Sequence, residues 1–440
     1  RQQEKDNPEL LPKVTLDDIN PDIRVTEGEH SEIDGMPVAR YTAGTNGLVY
    51  AHVVVKVPEL DEELLDIFPL FSECIAEVGV GERDYLQTAA WHAAVTGGVG
   101  ARHSVRSDIK DNRNASVSFI LSGKALNRNA GSLAEILVRT LDEAHFNELE
   151  RLKELISQLR AQQESSITGH GHSLAMVAAS AGVSPSAALA HRWDGLAAIR
   201  QLKQLDDALQ SEAELTAFAE KLALIRNKLA SAPRELLLVG EVDQLDQFQQ
   251  SFADLFNGRE GLRVDSGLQV FTPVIDPQTI KQGWLTSTQV NFCSRAYAAV
   301  PADHDDAPAF TVLGGYLRNS FLHTAIREKG GAYGGGATYD SDAGAFRFYS
   351  YRDPRLGVIG ALDRPRSPAG EAVGAYYAER NGRTPEQRRR FRQRVLRVTL
   401  EDLRSVVRQY LKPDLASTAV ISDPGKSSVV GELGLAEEHV

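Results

Sequence analysis

The chain has 440 residues, 42% of them apolar and 25% charged, values that exclude collagen, coiled coil and wholesale disorder; the length suits two domains of roughly 200 residues or about three average ones. Sixty acidic against 48 basic residues leave a net charge of −12, so there is no basic field for a phosphate backbone, which argues against a nucleic-acid partner. The two cysteines, Cys74 and Cys293, lie far apart in the apolar runs FSEC and VNFC, which excludes a disulfide framework or zinc ribbon and reads as two buried thiols.

No apolar run approaches the roughly 18 residues needed to cross a bilayer, so a soluble chain with no membrane partner is expected. The opening RQQEKDNPELLPK carries no signal-peptide pattern. Arg1 is not an initiator methionine, and the charged stretch with Pro8 and Pro12 reads as the tail of a linker within something longer.

In chain order, the apolar run Leu48 to Val57 predicts a strand, and the three- and four-residue steps of Leu64, Ile67, Phe68, Phe71, Ile75 and Val78 predict a helix within Leu60 to Val78. A helix over Asp84 to Val95 leads through the glycine turn Gly97-Gly98-Val99-Gly100 to alternating runs, Ala101 to Val105 and Ala115 to Leu121, that suit neighbouring strands. Helical patterns follow over Ser132 to Glu143 and Phe146 to Ser165, and helices continue from Gly169 to Leu229, with Ser184 before Pro185 as an N-cap and first-turn proline. Leu236 to Val239 is a short buried strand. The glycine-rich polar stretch Asn257 to Gly261 places a domain boundary there, separating 25–257 from 258–440.

The second part repeats the first. Strand Thr288 to Val300 precedes a helix over Asp306 to Glu328, with Leu313, Leu317, Phe321 and Ala325 on one stripe; the glycine turn Gly330 to Gly336 then leads to strands Ala337 to Tyr339 and Ala345 to Tyr351. GGVGARHSVRSD at 97–108 aligns by eye with GGAYGGGATYDSD at 330–342, so the expected architecture is α+β: two related αβ-roll domains, each a sheet covered by helices on one face, made by internal duplication. One element lacks a counterpart. After Tyr351 the chain runs through RDPRL straight into Gly357-Val358-Ile359-Gly360-Ala361-Leu362, with no room for the helix that follows the equivalent strand of the first copy. A stretch of chain omitted between Leu356 and Gly357 is favoured over loss of the element.

The densest candidate for chemistry is Ile326-Arg327-Glu328-Lys329-Gly330-Gly331-Ala332-Tyr333-Gly334-Gly335-Gly336. Cations in a last helical turn and a glycine stop explain Arg327 to Gly331. They do not explain Gly334, Gly335 and Gly336 at the start of a strand, where glycine weakens a sheet unless another backbone approaches closely. An extended peptide could lie along such a strand, with the Arg327 fork and the Tyr333 hydroxyl holding its carbonyls or donating to a developing oxyanion. Neither Gly330 to Gly336 nor Gly425-Lys426-Ser427 completes a phosphate loop. Among 11 histidines neither H-E-x-x-H nor H-x-x-E-H occurs; His145-Phe146-Asn147-Glu148 is followed by Leu149, and His170-Gly171-His172 has no third ligand nearby in sequence, so capping or core hydrogen bonding is the expected role. No G-x-S-x-G elbow is present.

These residues carry a resemblance. IREKGGAYGGGA at 326–337, AFRFYSYRDPRL at 345–356, SPAGEA at 367–372 and GRTPEQRR at 382–389 are similar to the C-terminal half of the presequence-protease branch of the insulinase/pitrilysin zinc peptidases. GHSLAM at 171–176 resembles the domain before the last one, and KVTLDDI at 13–19 the end of the hinge that joins the halves, which makes 1–24 the end of that hinge. The resemblance implies four related αβ domains in two bowl-shaped halves around a closed chamber where unfolded peptides are cut. It implies that zinc, held by H-x-x-E-H and a downstream glutamate, and the general base lie in the N-terminal half, the partner of this chain in one polypeptide. Arg327 and Tyr333 match the arginine and tyrosine that the C-terminal half adds, as assisting catalytic and substrate-binding residues beside Gly334 and Gly335. This chain then carries no metal ligand and is inactive alone. The alternative is a non-catalytic scaffold subunit, as in mitochondrial processing and respiratory complexes; retention of Arg327 and Tyr333 speaks against it. The compartment stays open: cytoplasm in a bacterium, an organelle matrix in a eukaryote.

Overall fold

The computed structural model describes residues 15–20, 23, 25–256, 269–318, 322, 333–351 and 368–440. In the first half the elements are β1 (Glu29–Ile33), β2 (Met36–Thr42), β3 (Leu48–Lys56), α1 (Glu62–Cys74), β4 (Gly79–Val80), α2 (Tyr85–Val95), β5 (Val99–Ser107), β6 (Ala115–Leu126), α3 (Ala130–Glu143), β7 (Ala144–His145), α4 (Leu149–Ser180), α5 (Pro185–Asp194), α6 (Leu196–Ala208), α7 (Glu212–Ala230), β8 (Arg234–Gly240) and α8 (Val242–Phe256). The second half supplies β9 (Lys281–Leu285), β10 (Phe292–Ala298), α9 (Ala307–Leu317), β11 (Gly334–Asp340), β12 (Ala345–Tyr351), α10 (Pro368–Arg380), α11 (Pro385–Leu396), α12 (Leu400–Tyr410), β13 (Ser417–Ser422), α13 (Ser427–Glu432) and β14 (Ala436–His439).

Local chemistry sets the helix starts. Asp61 accepts from the Leu64 N–H, Asp84 and Gln87 form a capping box, and Ser184 caps α5 with Pro185 in its first turn. Strand β11 begins at Gly334, so the last three residues of the expected glycine turn lie inside the sheet. The boundary at 257–261, the rest of the helix expected to run to Glu328 apart from Arg318 and Leu322, and the Leu356 to Gly357 junction lie outside the described residues.

The duplication is visible in the sheets. The first has the order β1-β2-β8-β3-β6-β5 and the second β11-β12-β10-β13-β9-β14. Read from β2 to β5 and from β9 to β11, the five matching strands pair parallel, antiparallel, antiparallel and antiparallel in both. Only the sixth strand differs, since β1 is an antiparallel hairpin partner of β2 whereas β14 arrives from the C-terminal end, parallel to β9.

Each half lays its own helices on one face of its sheet. In the first, α1, α3, α7 and α8 bury Val53, Val55, Val117, Phe119 and Leu121; in the second, α9 and α12 bury Phe346. The opposite faces are closed by exchange. Ala175, Ala178 and Ala179 of α4 pack on Trp284, Phe292, Ala296, Ala419 and Ile421 of the second sheet. Ala372, Ala375 and Tyr376 of α10 pack on Ala39, Tyr41, Val54, Ile120, Leu237 and Val239 of the first. The missing counterpart of α3 also has a structural trace: an opening of about 400 Å³ on the second sheet's own-helix face, lined by Lys281, Cys293, Arg295, Phe348, Ser350 and Thr418 among others. Cys74 is fully buried, its thiol pushed up to about 12 by burial, but Cys293 is only partly buried. That corrects the expectation of two buried thiols, and the reason is that Cys293 faces this opening.

The exchanged α10 brings polar groups into its seam, and each meets a partner. Tyr376 and Arg380 both donate to Glu235, Arg380 also to Ser118, Tyr41 to Glu379, and Tyr377 shares a hydrogen bond of 3.0 Å with His52 Nδ1. Burial, helped by the charge of Arg102, holds His52 down to about 4 from 6.5. Below pH 6.5 the unfolded chain therefore takes up a proton that the folded His52 refuses until about pH 4. Its stabilising contribution is full above 6.5 and falls as pH drops between those values. Moving from pH 7.5 to 5 is expected to cost roughly 2 kcal/mol through His52. Urea midpoints at the two pH values in wild type and His52→Gln check this; an equal loss in both would remove His52 as the cause.

Candidate functional site

Tyr333 stands immediately before β11 and is 67% exposed, high for so large an aromatic side chain. β11 is the edge strand of its sheet and pairs on one side only, with β12. The register sets Gly334 opposite Tyr351, Gly335 opposite Ser350 and Gly336 opposite Tyr349. Two of the three glycines thus face tyrosines across the strand, so side-chain bulk comes from β12 while the edge strand has none. On the inner side α9 approaches closely: a Cβ on Gly314 would meet the Ala337 carbonyl oxygen at 3.2 Å.

Behind Tyr333 lies a chain of rings. Tyr333 meets Tyr351 edge-on at 5.7 Å between centroids, Tyr351 meets His172 edge-on at 4.7 Å, and His172 stacks on Tyr349 at 5.7 Å. Such contacts are each worth about 0.5–1.5 kcal/mol beyond simple burial. Phe292 closes the group against Tyr351 at 6.4 Å. Burial lowers the His172 pKa and raises that of Tyr349, so the imidazole is held neutral and serves as an aromatic wall.

His172 reaches this position because α4 is kinked at His170, whose φ of −123° and ψ of 18° leave the helical range. Gly171 permits the approach: a Cβ there would come within 2.4 Å of the Phe292 ring. Tyr333, Gly334 and Gly335 are thus brought together, while Arg327 lies outside the described residues. Tyr349, Tyr351 and His172 were missed as a group. The available signal was the two-residue spacing of Tyr349 and Tyr351 on a strand that follows the glycines, but the register and the distant histidine are tertiary facts.

The other candidates have structural roles. His145 Nε2 bonds the Arg83 carbonyl, and Glu148 accepts from the N–H groups of Gly79 and Tyr85. Lys426 donates to Asn291, and Asp423 caps the Gly425 N–H. Among the described residues no group of three or more His, Cys, Asp or Glu is placed to hold a metal ion. No described helix is long and apolar enough to cross a membrane.

Comparison with known proteins adds family-level information. Residues 1–205 match the family model of the peptidase-associated domain and residues 281–358 the "PreP C-terminal domain" model. The mitochondrial presequence protease of Yarrowia lipolytica is 28% identical over 457 aligned residues, covering 96% of this chain and 45% of that protein. That of Danio rerio is 27% identical, covering 91% and 43%. The chain thus spans about half the length of these relatives. A protease from Helicobacter pylori has a similar fold, with a TM-score of 0.61 at 13% identity, covering 91% of this chain and all of that one.

Proposed function

Because this chain belongs to the presequence-protease branch of the insulinase/pitrilysin peptidases and corresponds to their C-terminal half, we propose that it is the substrate-binding half of a zinc endopeptidase that degrades unfolded peptides in a closed chamber. Residues 25–257 and 258–440 form its two αβ domains, and 1–24 end the hinge to the half that carries zinc and the general base. The observation that carries this reading is the placement of an exposed tyrosine, braced by Tyr351, at the head of an open-edged glycine strand.

The described residues do not fit zinc, so no step on this chain runs through the metal. The exposed backbone of β11 holds an extended peptide as an added strand, which aligns the carbonyl to be cut. The Tyr333 hydroxyl donates to that carbonyl oxygen as negative charge develops there, and Arg327 holds the neighbouring peptide backbone. The lack of side chains at Gly334 and Gly335 lets the two backbones meet.

Mixing supplies the test. The 440-residue chain with added zinc should cleave an unfolded reporter peptide no faster than buffer, and adding the separately expressed zinc-bearing half should restore turnover. Cleavage by the chain alone, or no cleavage by the reconstituted pair of folded halves, would overturn the proposal.

A further inference from the structure

A second unpaired edge lies at the other end of the duplicated pattern. β5 occupies in the first sheet the position that β11 occupies in the second, and no described strand pairs with its outer side. The Asp108 N–H bonds the Asn114 carbonyl at one end of the β5–β6 ladder and the Lys124 N–H bonds the Gly98 carbonyl at the other. With the register Arg106↔Ser116 and Arg102↔Ile120, even-numbered residues bond inward. The backbone N–H and C=O groups of Ala101, His103 and Val105 therefore point away from β6. Such a row is a template for another strand.

The edge borders space. A cavity of about 960 Å³ is lined by β5 from Arg102 to Arg106, by Ala187 and Ala190 of α5, by Ala378 of α10 and by the β11–β12 turn from Tyr339 to Ala343. It therefore joins the β5 edge to the far end of β11. Seven residues of β11 at about 3.3 Å each put that end some 23 Å from Tyr333. Six arginines and four aspartates line the cavity. Arg102 is exposed, its guanidinium 5.2 Å from the centre of the Tyr377 ring.

We infer that the β5 edge and this cavity form a second binding site for an extended polypeptide, one that takes the distal part of a chain whose reacting part lies on β11 and favours acidic side chains on the arginine side. The inference rests on the proposed role of β11 as a peptide-binding edge. Unpaired backbone groups in a row are matched by another extended backbone, and side chains from the added strand alternate between the Arg102 side and the His103 side. The geometry couples affinity to length. A peptide of about eight residues fills β11 alone, whereas one of about a dozen or more reaches both edges and gains from the linkage.

A 20-residue peptide of alternating Glu and Val, bearing a benzophenone near one end, is the probe. Irradiation with the 440-residue chain should give adducts on 101–107 or 187–190, mapped by mass spectrometry. Val105→Pro removes an outward N–H and leaves the ladder to β6 intact; by fluorescence anisotropy it should weaken this peptide at least fivefold and leave the eight-residue version unchanged. N-methylation of alternate residues in the distal half of the probe tests the same bonds on the unaltered protein, with the same loss expected. Adducts confined to 333–340, with equal affinity for the plain and methylated peptides, would overturn the inference and leave the β11 reading standing. Adducts confined to 101–107 and 187–190 would support the inference and count against β11. No adducts on either edge would sink both.

Discussion

Replacing Tyr333 with Phe in the complete enzyme is expected to lower kcat by 10²- to 10³-fold, about 3–4 kcal/mol of transition-state stabilisation, with little change in KM. The substitution removes one hydroxyl and keeps the ring. Because the contact with Tyr351 is between rings, and Tyr333 is largely exposed, the urea midpoint should not move. A loss of rate without a loss of stability is the signature of a donor that acts on the reacting carbonyl. An unchanged kcat would reduce Tyr333 to a surface aromatic resting on its neighbour.

The second large effect concerns two glycines in one helix. Gly171→Ala is expected to destabilise the fold by about 2–3 kcal/mol, because the new methyl would sit 2.4 Å from a ring carbon of Phe292. That ring is fully buried on the central strand β10 and has nowhere to go. Gly169→Ala, one position before the kink, meets nothing within 4 Å and should instead gain up to about 1 kcal/mol from improved helix propensity. Urea unfolding of the two variants tests the contrast. If both stabilise, Gly171 is not the point of close approach. Turnover should fall with Gly171→Ala as well, since the same shift moves His172 away from Tyr351 and Tyr349.

Much of the secondary structure is legible from residue pattern. The runs at Leu48 to Val57 and Ala345 to Tyr351 alternate or stay apolar as strands do, and Ser184-Pro185 announces a helix start that the structure confirms. The aligned glycine segments at 97–108 and 330–342 point to the duplication, and both become edge strands in matching positions. The pattern misplaces the end of one helix: α4 continues past Gly169 and Gly171 to Ser180. Glycine there weakens a free helix, but packing on β10 requires its small size, and tertiary contact outweighs propensity.

By itself the sequence determined the fold class, the repeat of one αβ unit, the lack of a motif for zinc or phosphate, and the tyrosine and glycines that open β11. Periodicity reports that a helix has a stripe to bury and is silent about what buries it. The tertiary structure alone therefore decided that α4 and α10 change places between the sheets, and that His172, more than 150 residues away in sequence, closes the ring stack behind Tyr333. Strand register, which no single segment encodes, decided that Gly334 and Gly336 face Tyr351 and Tyr349 and that the outward groups of β5 border a cavity.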